Sequence, residues 1–301
     1  MGGAARSMTF DDVEVKLTNT DRVVFPDVGI TKGEVIDYYA SIADVILPEL
    51  VGRPLTIERF TKGIDAGGFF QKHVQKHYPN WIDRAELGTK TRVVYPICND
   101  AASLVYFVNQ GGFVLHIWTS RKKTPANPDL IVFDLDPPDG RFDLVQQTAR
   151  LLHEILDEVG FGAFVKTTGS KGLHVVAPLD GTAAFGEVHA LTNEIAKMMC
   201  VRHPDLVTME FYKKDRAGRL FMDTLRNAQG ATVVAPYSLR GRPGAPVSAP
   251  IEWEELDDVK PNGITMRDIA ARLDSIGDPW SNLRARLGNV KKAAKKLEAL
   301  R

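Results

Sequence analysis

The chain is poor in cysteine, has no excess of charge of either sign and contains no long apolar run, and each absence removes a class of protein. Its two cysteines, Cys98 and Cys200, lie far apart with no CxxC partner, which excludes a disulfide framework, a zinc ribbon and a paired-thiol redox motif. A reducing compartment, the cytoplasm, is the expectation. Lysine plus arginine and aspartate plus glutamate each number 38, so the net charge is zero. A nucleic-acid partner would therefore have to be held by local basic clusters rather than by a general excess. No stretch approaches the roughly 20 apolar residues of a membrane span, and the start lacks the basic-then-apolar order of an export signal. A soluble protein with no membrane partner is expected. The Walker A pattern GxxxxGK(S/T) is missing as well.

What is present is enough apolar content, 44% of 301 residues, to bury the core of one large domain or two modest ones. Thr31 and Glu34 form a capping box, after which Val35, Tyr39, Ile42 and Ile46 follow at helical spacing to an expected end near Pro48. Residues 69–92 are polar and basic, with Lys72, His73, Lys76, His77 and Trp81, and read as surface. Strands are expected at 92–97, 113–119 and 130–136, the last stopped by Pro137, Pro138 and Gly140. A helix over 143–159 puts Leu144, Leu151, Leu152, Ile155 and Val159 on one face and closes at Gly160. A hairpin of strands 163–168 and 173–178, a helix over 187–199, strands near 219–225 and 231–235 and a basic helical stretch over 280–301 complete the chain. Without a regular βαβ period, this alternation predicts a mixed α/β fold of the α+β kind rather than a barrel or doubly wound sheet.

Side chains two apart on a strand share a side, so Asp134 and Asp136 form a carboxylate pair at the end of Leu-Ile-Val-Phe-Asp-Leu-Asp. Such a pair repels itself unless a cation or donors intervene, and hard oxygen ligands suit magnesium or manganese. Two-metal phosphoryl transfer uses this arrangement with a third carboxylate, for which Asp223, in the apolar segment Leu220-Phe-Met-Asp-Thr-Leu225, is the candidate. The competing reading is a set of ordinary solvated acids at strand ends. A haloacid-dehalogenase-type phosphatase would carry DxDx(T/V), but the fifth position here is Pro138 and the motif falls mid-chain.

The turn Thr167-Thr-Gly-Ser-Lys-Gly-Leu-His174 combines glycines, hydroxyls, a lysine and a histidine, as a triphosphate would require, and could equally be an exposed turn. His116 alternates with apolar neighbours and fits a site or a core equally well. Phe69 and Phe70 suit base stacking if exposed, and core packing if not. Basic residues gather at Arg121-Lys-Lys123, at 213–219 and at Arg240-Gly-Arg242; such runs are usually solvated faces, although the latter two flank Asp223 in sequence.

Taken in order, Thr18-Asn-Thr-Asp-Arg22, Gly68-Phe-Phe70, Phe133-Asp-Leu-Asp-Pro137, Gly169-Ser-Lys-Gly-Leu-His174, Phe221-Met-Asp223 and Ala235-Pro-Tyr-Ser-Leu-Arg-Gly-Arg242 resemble the polymerase domain of bacterial ligase D, a branch of the archaeo-eukaryotic primase superfamily. The resemblance implies a flexible start over 1–10 and one catalytic unit over 11–301. That unit would comprise two interlocked modules, about 11–110 and 111–301, with mixed and antiparallel sheets flanked by helices, a cleft between them and a recognition-motif-like second module. It implies that Asp134, Asp136 and Asp223 are the catalytic metal ligands. His116, Thr168, Ser170, Lys171, His174 and Arg240 would hold the incoming nucleotide. Asn19, Arg22 and Lys32 would grip a DNA 5′-phosphate; Arg22 stands where lysine is expected, which keeps the charge and changes the hydrogen-bond geometry. Phe69 and Phe70 would contact the template, and Lys213, Lys214, Arg216 and Arg219 would belong to a mobile loop.

The implied activity is template-dependent nucleotidyl transfer, with two manganese or magnesium ions and a nucleoside triphosphate, ribonucleotides preferred, on gapped or broken DNA bearing a 5′-phosphate. A monomer is expected near the bacterial nucleoid, with a DNA ligase and a Ku-type end-binding protein as partners. The ligase and nuclease domains of the family's best-known form are not among these residues, so an excised domain or a stand-alone relative is expected. Two rival readings are a primase that starts chains on single-stranded template and a catalytically silent end-binding module.

Overall fold

The first helix begins where the sequence places it. Thr31 Oγ1 accepts from Glu34 N at 3.2 Å and Glu34 Oε2 accepts from Thr31 N at 2.7 Å, closing the capping box. The helix Lys32–Ser41 then stops short of Pro48, because the backbone turns at Ile42, and a second helix, Ala43–Leu50, contains the proline. In so short a helix the missing proline N–H forfeits a single main-chain bond.

The computed structural model describes residues 6–88, 91–138 and 140–300. They form two compact units, the first from residues 1–118, 234–248 and 265–272, the second from 119–233, 249–264 and 273–301. The chain leaves the first unit after residue 118 and returns to it twice. The return is fastened by polar contacts to buried tyrosines. Tyr38 donates to Tyr237 O at 2.7 Å, Tyr39 Oη accepts from Leu239 N at 2.9 Å, and Ala235 N donates to Leu115 O at 2.9 Å. Helical or strand periodicity carries no record of such long-range bonds.

In the first unit, Leu55–Arg59 lies between Phe69–Gln71 and Gly112–Trp118, antiparallel to both. Helix Ala101–Asn109 packs near this sheet and against the first helix, its N-terminus capped by Asp100 accepting from Ser103 N at 2.7 Å. Residues 6–10, expected as part of a flexible start, instead form the strand Arg6–Phe10, paired with Val13–Leu17. Arg6 also forms an ion pair with Asp37. The rest of that expected start, residues 1–5, lies outside the described residues. The strands Leu55–Arg59 and Phe69–Gln71 and the helix Ala101–Asn109 had no counterpart in the sequence reading.

In the second unit the order strand Leu130–Asp136, helix Phe142–Val159, strands Phe164–Thr167 and Leu173–Pro178, helix Phe185–Arg202 and strand Leu220–Asp223 is a βαββαβ succession. Its six-stranded sheet runs Val207–Thr208, Leu220–Asp223, Leu130–Asp136, Leu173–Pro178, Phe164–Thr167, Pro250–Ile251. The strand nearest the N-terminus thus becomes central, flanked on both sides by antiparallel partners. Both long helices pack on this sheet and against helix Val290–Ala299.

The helix Phe142–Val159 ends at Gly160, whose φ of 87° is left-handed. It buries Val145, Ala149, Leu152, Leu156 and Val159, whereas Leu144 and Leu151, expected on that face, are only half-buried. The i, i+3 and i+4 stripe is centred slightly around the helix from the leucines. The expected helical stretch over 280–301 contracts to Val290–Ala299, preceded by the short turn Leu283–Ala285. Among the described residues no helix is long and apolar enough to cross a membrane.

Candidate active site

The register of the second unit's sheet sets one row of side chains across four strands. Asp223 stands opposite Asp134, Asp134 opposite His174, and His174 opposite Lys166. Directly opposed residues present their side chains to the same face, so the three acids expected as a set are drawn to one side of the sheet. Asp136, two positions beyond Asp134, is opposite Phe221. Asn227 fixes the central strand from its edge, its Oδ1 accepting from Val132 N at 2.9 Å and its Nδ2 donating to Val132 O at 2.8 Å.

Arginines hold these carboxylates. Arg226 Nε lies 3.2 Å from Asp134 Oδ2 and 3.8 Å from Asp223 Oδ2. Arg216 Nη1 lies 3.6 Å from Asp136 Oδ2, and the same guanidinium is stacked 4.0 Å from the centre of the Phe221 ring. Asp223 Oδ1 also accepts from Leu225 N at 2.7 Å. On the other side of Asp134, His174 Nε2 approaches its Oδ1 at 3.5 Å.

The environment splits the protonation behaviour of the row. Burial works to raise the Asp134 carboxyl, but the His174 imidazole and the Arg226 guanidinium outweigh it and hold the acid well below the usual carboxylate range. Asp223 moves the other way, pushed up by burial and further by the charges of Asp134 and Asp136. Burial, followed by the Lys166 charge, lowers His174 to about 4, so the imidazole is neutral at neutral pH. Its Nδ1 is buried without a hydrogen-bond partner among the described residues.

Among the described residues no three acids or imidazoles are already converged as a cation cage. The donor set nonetheless fits a hard divalent cation: carboxylate oxygens on one sheet face, with Asp223 raised in part by like charges that a cation would offset.

The turn between Phe164–Thr167 and Leu173–Pro178 is locked beside this row. A Cβ on Gly172 would come within 2.0 Å of Leu135 O, so only glycine permits the turn to press on the strand between Asp134 and Asp136. Thr168 N donates to Gly172 O at 3.0 Å, closing the turn, with Gly169 at a φ of 61°. Thr168 is buried, Ser170 half-buried and Lys171 exposed. Of the basic residues expected in a mobile loop, Lys213 and Lys214 are exposed, while the other two fold back. Arg216 donates to Glu210 O and Phe211 O at 3.1 and 2.9 Å, and Arg219 Nε donates to Arg216 O at 2.9 Å.

Two expected nucleotide-binding residues, His116 and Arg240, belong to the first unit. His116 meets Phe70 edge-on at 5.5 Å between ring centres. Arg240 N donates to Pro246 O at 2.8 Å, and with Arg242 its side chain acts electrostatically on Glu58, whose carboxyl is pushed up by burial and drawn back by these arginines. Phe69 and Phe70 are 50% and 61% exposed, which removes the core alternative for both.

Asn19, Arg22 and Lys32 lie near one another. All three line a cavity of about 150 Å³ in the first unit with Thr18, Asn109 and Gln110. Lys32, at the start of its helix, is buried and donates to Thr18 O and, at 3.2 Å, to Thr18 Oγ1. Arg22 Nη1 donates to Thr61 O at 2.6 Å. Burial and the neighbouring Arg22 charge lower Lys32 to about 8.

Sequence reasoning missed Arg226, Lys166 and Asn227. Arg226 carried one local signal, its place three residues after Asp223, but its second partner, Asp134, is 92 positions away.

A mixed α/β unit whose central strands bear a row of acids beside a glycine-hinged, lysine-bearing turn defines the class of fold. Within it, this chain belongs to the LigD primase-polymerase domain family, whose pattern it matches over residues 31–280. It is 35% identical over 281 residues to the multifunctional non-homologous end joining DNA repair protein LigD of Mycobacterium tuberculosis, covering 90% of this chain and 37% of that protein. It is 30% identical over 272 residues to the bifunctional LigD of Bacillus subtilis, covering 89% of this chain and 44% of that protein. The chain thus spans less than half the length of these relatives. The solved polymerase domain of M. tuberculosis ligase D in complex with DNA superposes with a TM-score of 0.86 at 34% identity, covering 91% of this chain and 99% of that one.

Proposed function

We propose that this chain is a template-dependent nucleotidyltransferase that fills short gaps or extends broken DNA ends during repair, as the names of its relatives suggest for end joining. The observation that carries the reading is the opposition of Asp134 and Asp223 across paired strands, with Asp136 two residues on. Three hard carboxylates gathered on one face are what nucleotidyl transfer by a primer hydroxyl requires.

Asp134, Asp136 and Asp223 would hold two divalent cations, manganese or magnesium, which when bound lower the pKa of the attacking primer 3′-hydroxyl and neutralise the leaving pyrophosphate. The chain's own groups bind and orient. Thr168, Ser170 and Lys171 present hydroxyls and a cation to the triphosphate, and His116 and Arg240 are assigned as nucleotide-binding residues. Neutral His174 orients Asp134 through its Nε2. Asn19, Arg22 and Lys32 grip the 5′-phosphate across the gap, where the helix start adds its own positive end. Exposed Phe69 and Phe70 stack on the template, and Lys213, Lys214, Arg216 and Arg219 meet primer or end phosphates. Ribonucleotide preference, monomeric action in the bacterial cytoplasm near the nucleoid and cooperation with a DNA ligase and a Ku-type protein complete the reading.

Nucleotide incorporation on gapped DNA tests it. Asp136→Ala should abolish extension while gapped-DNA binding persists; undiminished extension by that variant would remove the proposal.

A further inference from the structure

The segment after Phe69–Gln71 looks like an ordinary solvated charge run, yet it is pinned from beneath. Val74 N donates to Val94 O at 2.8 Å, Tyr78 N to Gln75 O at 3.0 Å and Ile82 N to Pro79 O at 3.2 Å. Tyr78 and Ile82 are buried anchors, 5% and 1% exposed. Held this way, the segment turns Lys72, His73, Lys76, His77 and Trp81 outward, all exposed. A run selected only for solubility needs no such anchoring.

Beneath the cations a cluster of rings, His77, Tyr78, Tyr106 and Trp81, is tied to Phe69 through Arg59 and Gln71. The Arg59 guanidinium sits 5.7 Å from the centre of the Phe69 ring and donates through Nη1 to Gln71 Oε1 at 2.7 Å. Gln71 Nε2 in turn donates to the Tyr78 hydroxyl at 2.7 Å. Tyr78 meets His77 at 5.2 Å and Tyr106 at 5.3 Å, and Tyr106 meets Trp81 at 5.6 Å, each edge-on. Edge-on contact with the half-buried Tyr106 fixes Trp81 while leaving 38% of it open. The acids of the neighbouring hairpin are engaged elsewhere: Asp83 accepts from Asn99 at 2.6 Å and Glu86 pairs with Arg92 at 3.6 Å.

We infer that this surface, from Phe69 through Lys72 and Lys76 to Trp81, is a binding track for single-stranded DNA, the template strand where it runs beyond the copied position. Fixed aromatic faces interleaved with lysines are the chemistry that takes unpaired bases and their phosphates together, without sequence preference. A folded acidic protein would answer the lysines but would not use a separated series of ring faces and edges. The inference rests on the polymerase reading for the identity of the strand, but its binding chemistry does not depend on catalysis.

The test is equilibrium binding of the whole chain to a labelled oligo-dT strand and to a blunt duplex, across a salt series. Trp81→Ala should weaken oligo-dT binding by about five- to tenfold, the lower part of the range for one base–aromatic stack, and Trp81→Phe should restore most of it. Lys72→Ala with Lys76→Ala, both exposed, should flatten the slope of log affinity against log salt by about 1.4, two phosphate contacts on a single strand. Blunt-duplex binding should stay as in the parent protein. Unchanged oligo-dT affinity in the lysine variant, or an equal loss on oligo-dT and duplex, would overturn the track. Failure of the parent chain to extend gapped DNA while still binding oligo-dT would instead defeat the polymerase reading and leave the track standing.

Discussion

Asp134 and Asp223 face each other across antiparallel strands, and one guanidinium, that of Arg226, lies against both. The arginine occupies the position between two carboxylates where a divalent cation would compete with it. Its side chain is 44% exposed, whereas those of Asp134 and Asp223 are 18% and 16% exposed, so the arginine can swing toward water only if another cation takes over the two acids.

Arg226→Ala should therefore lower the thermal stability of the metal-free protein, by about 1–3 kcal/mol, because it leaves two mostly buried carboxylates without their shared donor. Manganese should raise the melting temperature of this variant more than that of the parent. Equal shifts in both proteins would show that Arg226 and the cation do not share the acids.

Asp223→Asn should separate stability from activity. An acid whose carboxyl is raised in the folded state binds its proton more tightly there than when unfolded, so at neutral pH it opposes folding. The amide removes that opposition and can still accept from Leu225 N, and the variant should melt above the parent in calorimetry. Extension should fall by more than about 100-fold, beyond the upper range for losing an outer-shell partner of a metal site.

The phosphate pocket should be pH-sensitive in a range where ordinary lysines are not. Burial and the Arg22 charge lower Lys32 to about 8, and only its protonated form attracts a phosphate. The affinity advantage of gapped DNA bearing a 5′-phosphate over the same DNA without it should begin to fall as pH rises past about 8. A ratio constant until pH nears the ordinary lysine value of about 10.4 would remove Lys32 from the phosphate contact.

Gly172→Ala places a methyl group 2.0 Å from Leu135 O, a backbone atom that cannot rotate away. The strand carrying Asp134 and Asp136 or the turn carrying Ser170 and Lys171 must move, at about 1–3 kcal/mol. Denaturant unfolding should register that loss, and nucleotide affinity should fall with it; a variant as stable as the parent would mean the turn is free to shift.

Much of the fold was legible where one element explains itself. The capping box at Thr31, the strand Leu130–Asp136 and the stop at Gly160 are local, each written in a few adjacent residues. The start of the chain misled because Arg6–Phe10 is stabilised by its pairing with Val13–Leu17 and by Asp37 rather than by its own composition. Leu144 and Leu151 misled because an apolar residue at a helical interval can sit at the edge of the buried stripe. The division into units is not local: segment 234–248 is joined to the first unit by bonds to Tyr38, Tyr39 and Leu115, far away in the chain.

By itself the sequence determined that Asp134 and Asp136 share a side of one strand, that Lys32 opens a helix and that a glycine-hinged turn carries Ser170 and Lys171, since period-two alternation and capping act over a few residues. Tertiary structure alone decided that Asp223 stands against Asp134, that Arg226 spans them, that His174 is neutral and that Phe69 and Phe70 face water. Those outcomes depend on strand register and burial, which are fixed by the summed pairing and packing of distant segments and by no residue's immediate neighbours.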